Sequence, residues 1–232
     1  MKAAILAGGS GKRLRPLTDT IPKPLVEVAG KPILEWQMLW LKSCGVTSFV
    51  MMVGHLKEKI IDYVDSKKSG MGVRVDYSEE KDQLGTAGAL KNAERFLKGE
   101  EKFFMLNGDT VTNIAVEKMN LDSCIASIAL VPLRSTYGIT RLEGDRIVKF
   151  DEKPLLPEYW MNSGVYLMSK DIFRHLPRTG NLESTTFVEL SKSGTLRGVK
   201  FPDAYFKGVD SIKDIEEVTS DLKVRKVFGN FG

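Results

Sequence analysis

The sequence predicts an α/β fold, with a doubly wound, mostly parallel central sheet and an antiparallel elaboration in its C-terminal half. Three observations predict it. Short apolar runs alternate with helix-period stretches through about residue 122, the pattern of repeated strand–helix units. The first run, Lys2-Ala3-Ala4-Ile5-Leu6-Ala7, empties directly into a glycine-rich turn. Beyond it the apolar runs lengthen, and Glu143-Gly144-Asp145 between two of them is a hairpin signal.

The elements follow in order. Residues 2–7 read as a buried strand. Residues 33–41 carry apolar side chains at helical spacing, with Gly45 where a C-terminal cap belongs. Residues 46–53 are a second strand, ended by Gly54-His55. Residues 57–67 form an amphipathic helix, 73–77 an alternating strand and 85–98 a third helix. Residues 103–106 are a buried strand that stops at Asn107-Gly108-Asp109. In the second half, 124–133, 161–168, 196–201 and 205–209 read as strands. Residues 138–142 and 146–151 flank the hairpin turn. Helices are expected over 171–176, 183–192 and 211–223, the last with Ser211 as N-cap.

Length and composition set the class. A chain of 232 residues buries a sizeable core as one domain without metals or disulfides. Hydrophobic content of 42% and charged content of 28% are ordinary for a globular protein. The net charge of +4 is too weak to argue for nucleic acid, and no basic stripe with stacking aromatics is present. Cys44 and Cys124 are far apart in apolar surroundings, which predicts buried free thiols. No signal peptide and no membrane-length apolar run are read, so a cytoplasmic protein is expected.

The chemistry concentrates in Gly8-Gly9-Ser10-Gly11-Lys12-Arg13-Leu14-Arg15-Pro16-Leu17-Thr18, with Pro22-Lys23-Pro24-Leu25 close behind. Glycines let backbone N–H groups turn toward phosphate oxygens. Lys12, Arg13, Arg15 and Lys23 place four cations within twelve residues, against Asp19 alone. The spacing fits neither the Walker pattern nor the dinucleotide G-x-G-x-x-G fingerprint. An ordinary strand-to-helix turn is the competing reading of any such loop. The prolines fix the approaches to Arg13 and Lys23, which points to charges held at defined places.

These motifs resemble those of the sugar-1-phosphate nucleotidyltransferases. The resemblance continues through Gly30-Lys31-Pro32-Ile33, Leu84-Gly85-Thr86-Ala87-Gly88-Ala89, Asn107-Gly108-Asp109, Glu152-Lys153-Pro154 and Asn162-Ser163-Gly164-Val165-Tyr166, and so covers nearly the whole chain. It implies a Rossmann-like three-layer sandwich, with about 1–122 as the nucleotide half and about 123–232 as the sugar-phosphate half. It implies condensation of a sugar-1-phosphate with a nucleoside triphosphate, by attack of the sugar phosphate on the α-phosphorus with release of pyrophosphate. The nucleophile is already an anion, so the task is positioning and charge neutralisation.

The same resemblance assigns roles. Arg13 would take the leaving pyrophosphate and Lys23 the α-phosphate region. Leu6, Ala7, Gly8, Gly9, Ser10, Gly11, Lys12 and Gly108 would border the nucleotide, with Gln83, Gly85, Thr86 and Gly88 at the base. Glu152, Lys153, Asn162, Gly164 and Glu183 would meet the sugar phosphate. Asp109 would be a ligand of Mg2+, the expected cofactor. The leucine-glycine-threonine motif most resembles the mannose-1-phosphate guanylyltransferase branch; UTP- or dTTP-dependent glucose-1-phosphate enzymes stay open.

One region departs from the family. Many members carry Trp-x-Asp-x-Gly-Thr, whose aspartate is the second metal ligand. Here Phe206-Lys207-Gly208-Val209-Asp210-Ser211 puts glycine at that place. Asp210 lies on the same strand face, about 6–7 Å further along, and is the expected substitute; the alternative is that Asp210 only leads into the helix after Ser211. This change also keeps a non-catalytic, sugar-nucleotide-binding subunit in play. The left-handed β-helix that family members often carry is not expected here, and a homo-oligomer is left open.

Overall fold

A computed structural model describes residues 1–225. Its strands are β1 (Lys2–Ala7), β2 (Glu27–Val28), β3 (Lys31–Pro32), β4 (Ser48–Val53), β5 (Arg74–Glu79), β6 (Lys102–Asn107), β7 (Thr110–Thr112), β8 (Ala126–Arg134), β9 (Ile139–Glu143), β10 (Arg146–Asp151), β11 (Leu155–Ser169), β12 (Leu196–Lys200) and β13 (Phe206–Gly208). The helices are α1 (Ile33–Ser43), α2 (Lys57–Met71), α3 (Gly85–Asn92), α4 (Glu94–Leu97), α5 (Thr186–Lys192) and α6 (Ile212–Arg225).

Seven strands form one sheet in the order β12-β8-β11-β6-β1-β4-β5. β1 pairs in parallel with β4 and β6, and β4 with β5. β11 runs antiparallel to both β6 and β8, while β12 is parallel to β8. The second half therefore extends the same sheet through one reversed strand. The period-two alternation of β1 explains the layers. Ala3, Ile5 and Ala7 pack with Leu34, Met38 and Leu41 of α1 and Ile60 of α2. Ala4 faces the other way, with Leu90 of α3, Leu97 of α4 and Leu190 of α5. Each fully buried leucine on these faces stabilises the fold by about 1.5–3 kcal/mol.

The expected elements shift in places. The helix expected over 85–98 breaks at Ala93 (φ −82°, ψ −2°) into α3 and α4. The strand expected over 161–168 starts at Leu155, with register shifts between Leu156 and Trp160 and between Asn162 and Tyr166. Residues 170–174 are 3₁₀ instead of α-helix, because a segment this short does not repay helix nucleation, and the helix expected over 183–192 opens as a 3₁₀ turn at 182–184 before α5. β13 pairs with β7 and stays outside the main sheet. β9 and β10 pair with each other and stand exposed, with Leu142, Ile147 and Phe150 open to solvent. Both cysteines are free but only half-buried, since each lies at an element's end and not within a core face. Among the described residues no helix is long and apolar enough to cross a membrane.

Ser211 does cap α6. Its Oγ accepts the Asp214 N–H (3.2 Å) and donates to Asp214 Oδ2 (2.7 Å), a reciprocal cap. Ser211→Ala is expected to cost about 1 kcal/mol, read as a lower urea midpoint at unchanged slope.

Candidate active site

The carboxyl ends of β1, β4 and β6 lie at one edge of the sheet, where Ala7 pairs with Val53 and Leu6 with Asn107. The glycine loop leaves β1 there as three short 3₁₀ turns, Lys12–Leu14, Leu17–Asp19 and Lys23–Leu25. It is braced from within. Gly11 adopts φ +60°, and a β-carbon on it would stand 2.9 Å from Thr18 Cγ2 and 3.1 Å from Lys23 Cβ. Thr18 Oγ1 donates to the Gly11 carbonyl at 2.8 Å, and Leu14 is buried beneath. The His55 N–H donates to the Gly8 carbonyl at 3.1 Å, and the His55 ring lies 3.4 Å from the Thr18 carbonyl. His55 is a brace for the loop.

Charge converges on Lys23. Its Nζ donates to Asp109 Oδ2 and Asp210 Oδ1, each at 2.6 Å, and its side chain is only 13% exposed. Arg13 Nη2 pairs with the same Asp210 oxygen at 2.8 Å from a far more exposed position. The antiparallel register explains how Asp210 arrives. Gly208 pairs with Thr110, and the Val209 N–H donates to the Asp109 carbonyl at 2.9 Å. The chain therefore delivers Asp210 beside Asp109. Two carboxylates around one ammonium are a hard-oxygen donor set already balanced by a cation. Among the described residues no group of three or more His, Cys, Asp or Glu could hold a metal alone. Asp109 and Asp210 fit a divalent cation that takes its remaining ligands from phosphate and water.

Beside this cluster lies a cavity of about 640 Å³. Leu6, Gly8, Gly9, Ser10 and Lys23 line one side, Gln83, Gly85 and Thr86 another, and Gly108 and Asp109 a third. A second space of about 380 Å³ adjoins it, reached by Gly11, Lys12, Arg13 and Asp210. Other expected contacts fall elsewhere. Ala7 is buried in the core and lines neither space. Gly88 is buried against the 178–179 backbone; a β-carbon there would stand 2.6 Å from the Arg178 carbonyl, so this glycine serves packing, not the base. The N-terminus of α3 is closed by the loop at 180–181, with the Ala87 N–H on the Gly180 carbonyl (2.9 Å) and the Thr86 N–H on Asn181 Oδ1 (3.3 Å).

The candidates for the sugar side divide. Glu152 and Lys153 are exposed in the turn between β10 and β11 and line neither space, because the hairpin they follow projects from the sheet. Lys153 holds φ +46°, a left-handed conformation disfavoured for a residue with a side chain and further restricted before proline. Asn162 holds a bulge: its Oδ1 accepts the Gly164 N–H (2.8 Å) and its Nδ2 donates to the Tyr166 hydroxyl (3.0 Å). Gly164, at φ +71°, lets Asn107 pack within 2.7 Å of where a β-carbon would be. Thr86 Oγ1 donates to Glu183 Oε2 at 3.0 Å. Burial raises the Tyr166 phenol well above its ordinary range; the Glu183 and Asp109 charges add to this, and the Asn162 bond offsets part of it.

Three residues escaped the sequence reading. Tyr166 belongs to a motif, and the structure makes it a fully buried core phenol bonded to Asn162. Gln37, on the buried face of α1, donates through Nε2 to the Asn107 and Thr110 carbonyls, both at 2.8 Å, and so pins the turn that carries Asp109. A lone glutamine among Ile33, Leu34, Met38 and Leu41 was its signal. Glu80 stands in the cavity wall; its signal was an acid directly after a strand ending at the ligand edge.

Known proteins share this architecture. The crystal structure of HddC from Yersinia pseudotuberculosis superposes with a TM-score of 0.77 at 29% identity, covering 95% of this chain and 99% of that one. A second crystal structure of that protein, complexed with GMP-PN, gives a TM-score of 0.75. The D-glycero-alpha-D-manno-heptose 1-phosphate guanylyltransferase of Campylobacter jejuni is 36% identical over 176 residues, 75% of this chain and 78% of the relative. The mannose-1-phosphate guanylyltransferase catalytic subunit beta of Danio rerio is 36% identical over 208 residues, and this chain spans 58% of its length. Residues 2–221 match the family described as nucleotidyl transferase, and the chain belongs to that family.

Proposed function

We propose that the chain transfers a guanylyl group from GTP to a sugar-1-phosphate of the mannose or heptose class, releasing pyrophosphate. The observation that carries this is the Lys23–Asp109–Asp210–Arg13 cluster beside a glycine-floored cavity. Relatives named as guanylyltransferases, and a similar fold crystallised with GMP-PN, support GTP over UTP or dTTP.

In this reading the nucleotide occupies the first half, about residues 1–122, and the sugar phosphate meets the second. An anionic sugar-phosphate oxygen forms a bond to the α-phosphorus, and the bond to the β-phosphate oxygen breaks. Lys23 leaves its carboxylates for the α-phosphate, and Arg13 holds the departing pyrophosphate. Asp109 and Asp210 would hold Mg2+, which when bound supplies charge neutralisation between the phosphates. That Asp210 reaches the same ammonium as Asp109, despite Gly208, supports turnover over a non-catalytic binding subunit.

A panel of GTP, UTP, dTTP, CTP and ATP against sugar-1-phosphates, read by pyrophosphate release with magnesium, tests the proposal; no release from any pair overturns it. Lys153 makes no ion pair with a described residue and holds a left-handed backbone conformation, and its role on the sugar side rests on the family resemblance. Lys153→Ala is expected to raise KM for the sugar-1-phosphate about tenfold or more, with KM for GTP little changed. Equal changes in both constants would remove it from the sugar side.

A further inference from the structure

Asp210 lies beyond the strand that delivers it. β13 ends at Gly208, opposite Thr110 of β7, and the Val209 N–H on the Asp109 carbonyl (2.9 Å) adds one more backbone bond. That pairing brings Asp210 to Asp109 and does not hold it there. Its side chain is 36% exposed, so burial does not hold it either. In the proposed reaction Lys23 and Arg13 turn to phosphate, so their bonds to Asp210 are not its support at turnover. A carboxylate on an unpaired residue keeps several backbone conformations open, and ordering it for a cation costs conformational entropy. Such a site needs a support outside the two carboxylates.

The support comes from α6. Asp214 Oδ2 accepts the Asp210 N–H at 3.1 Å and the Ser211 hydroxyl at 2.7 Å. In a capping box the carboxylate of the third helical residue serves the cap residue. Here it also reaches one residue further back, to Asp210. Its other oxygen lies 3.5 Å from Lys207 Nζ on β13, and Lys207 pairs with Glu217 as well. α6 is itself docked: Val218 is fully buried, and Thr219 Oγ1 accepts the Ala29 N–H at 3.1 Å. One carboxylate therefore ties the strand, the cation-site residue and an anchored helix together.

We propose that Asp214 is a positioning residue: it fixes the backbone at Asp210 so that the Asp210 carboxylate stays beside Asp109 as the second oxygen donor to the divalent cation. This rests on the guanylyl-transfer reading, and it names what replaces strand pairing at that donor. The carboxylate of Asp214 acts through the Asp210 N–H and does not itself touch the cation or the substrates. Its task is that of an acceptor, so an uncharged amide oxygen at the same place performs it too.

The test reads two quantities in wild type and variants: the Mg2+ concentration for half-maximal pyrophosphate release, and Mn2+ affinity by electron paramagnetic resonance with GDP bound and no turnover. Asp214→Ala is expected to weaken both about tenfold or more. Amide hydrogen exchange at Asp210 is expected to speed about tenfold or more in the same variant. Asp214→Asn removes the charge and keeps the acceptor, and is expected to stay within about threefold of wild type in all three readings. Ser211→Ala removes the hydroxyl cap and lowers the urea midpoint, yet is expected to leave metal affinity within about twofold. A merely structural Asp214 would make metal affinity follow stability across the variants, Ser211→Ala included. That pattern, wild-type metal affinity in Asp214→Ala, or no Mn2+ binding by wild type, overturns the assignment. If no sugar-1-phosphate supports pyrophosphate release but Mn2+ affinity still depends on Asp214, the transfer reading fails and the positioning role stands.

Discussion

Lys23→Ala is expected to lower kcat about 10²–10³-fold while leaving the far-ultraviolet circular dichroism unchanged. Among the described residues Lys23 is the one side chain that touches both carboxylates, at 2.6 Å each, and it is largely withdrawn from water. In that setting its charge is screened far less than that of exposed Arg13. Its removal takes away the cation aimed at the α-phosphate. It also leaves Asp109 and Asp210 side by side, with Arg13 the one cation among the described residues that still pairs with them. A second effect of opposite sign follows: without the ammonium, the carboxylate pair should bind Mn2+ more tightly in the absence of nucleotide. Steady-state pyrophosphate release gives the first effect and electron paramagnetic resonance titration the second. Unchanged kcat would remove Lys23 from the reaction.

Gly108→Ala is expected to cost about 3 kcal/mol or more, roughly 6–12 °C in Tm, and to abolish most activity. Gly108 follows the last residue of β6, where Asn107 pairs with Leu6 of β1. A β-carbon there would stand 2.0 Å from the Leu6 carbonyl oxygen. That obstacle is backbone held in the parallel ladder at its carboxyl end and cannot rotate aside. The turn must move, although Gln37 holds it through the Asn107 and Thr110 carbonyls. Asp109 would move with it. Calorimetry and turnover together check this; a variant with native Tm and turnover would show that the turn yields freely.

Much of this was legible in sequence because it rests on local rules. The run Lys2-Ala3-Ala4-Ile5-Leu6-Ala7 before glycines specified a buried strand and its loop, and Asn107-Gly108-Asp109 specified a strand end at the same edge. What was not legible depends on pairing between distant segments. Asp210 is the expected second carboxylate from sequence, but it is the pairing of β13 with β7 that sets it against Asp109. Gly88 shares a motif with Gly85, and both pack on the backbone of a loop about ninety residues later, yet Gly85 borders the cavity and Gly88 does not. Gln83 belongs to a motif that the resemblance places at the base, while Glu80 is one acid among several in sequence. Burial distinguishes Glu80, and burial has no signature in a single residue.

The reversed strand β11 has a mechanical consequence. It is hydrogen-bonded to β6 on one side and β8 on the other, with Met105 opposite Tyr166 and Ile128 opposite the same residue. The sheet therefore runs without a seam beneath both halves of the site. A plate of this kind resists bending across its strands. The glycine loop and the segments opposite it cannot approach by rotation of one half against the other. Any tightening around substrates is confined to the surface loops, while the distance between their roots stays as the ladder sets it.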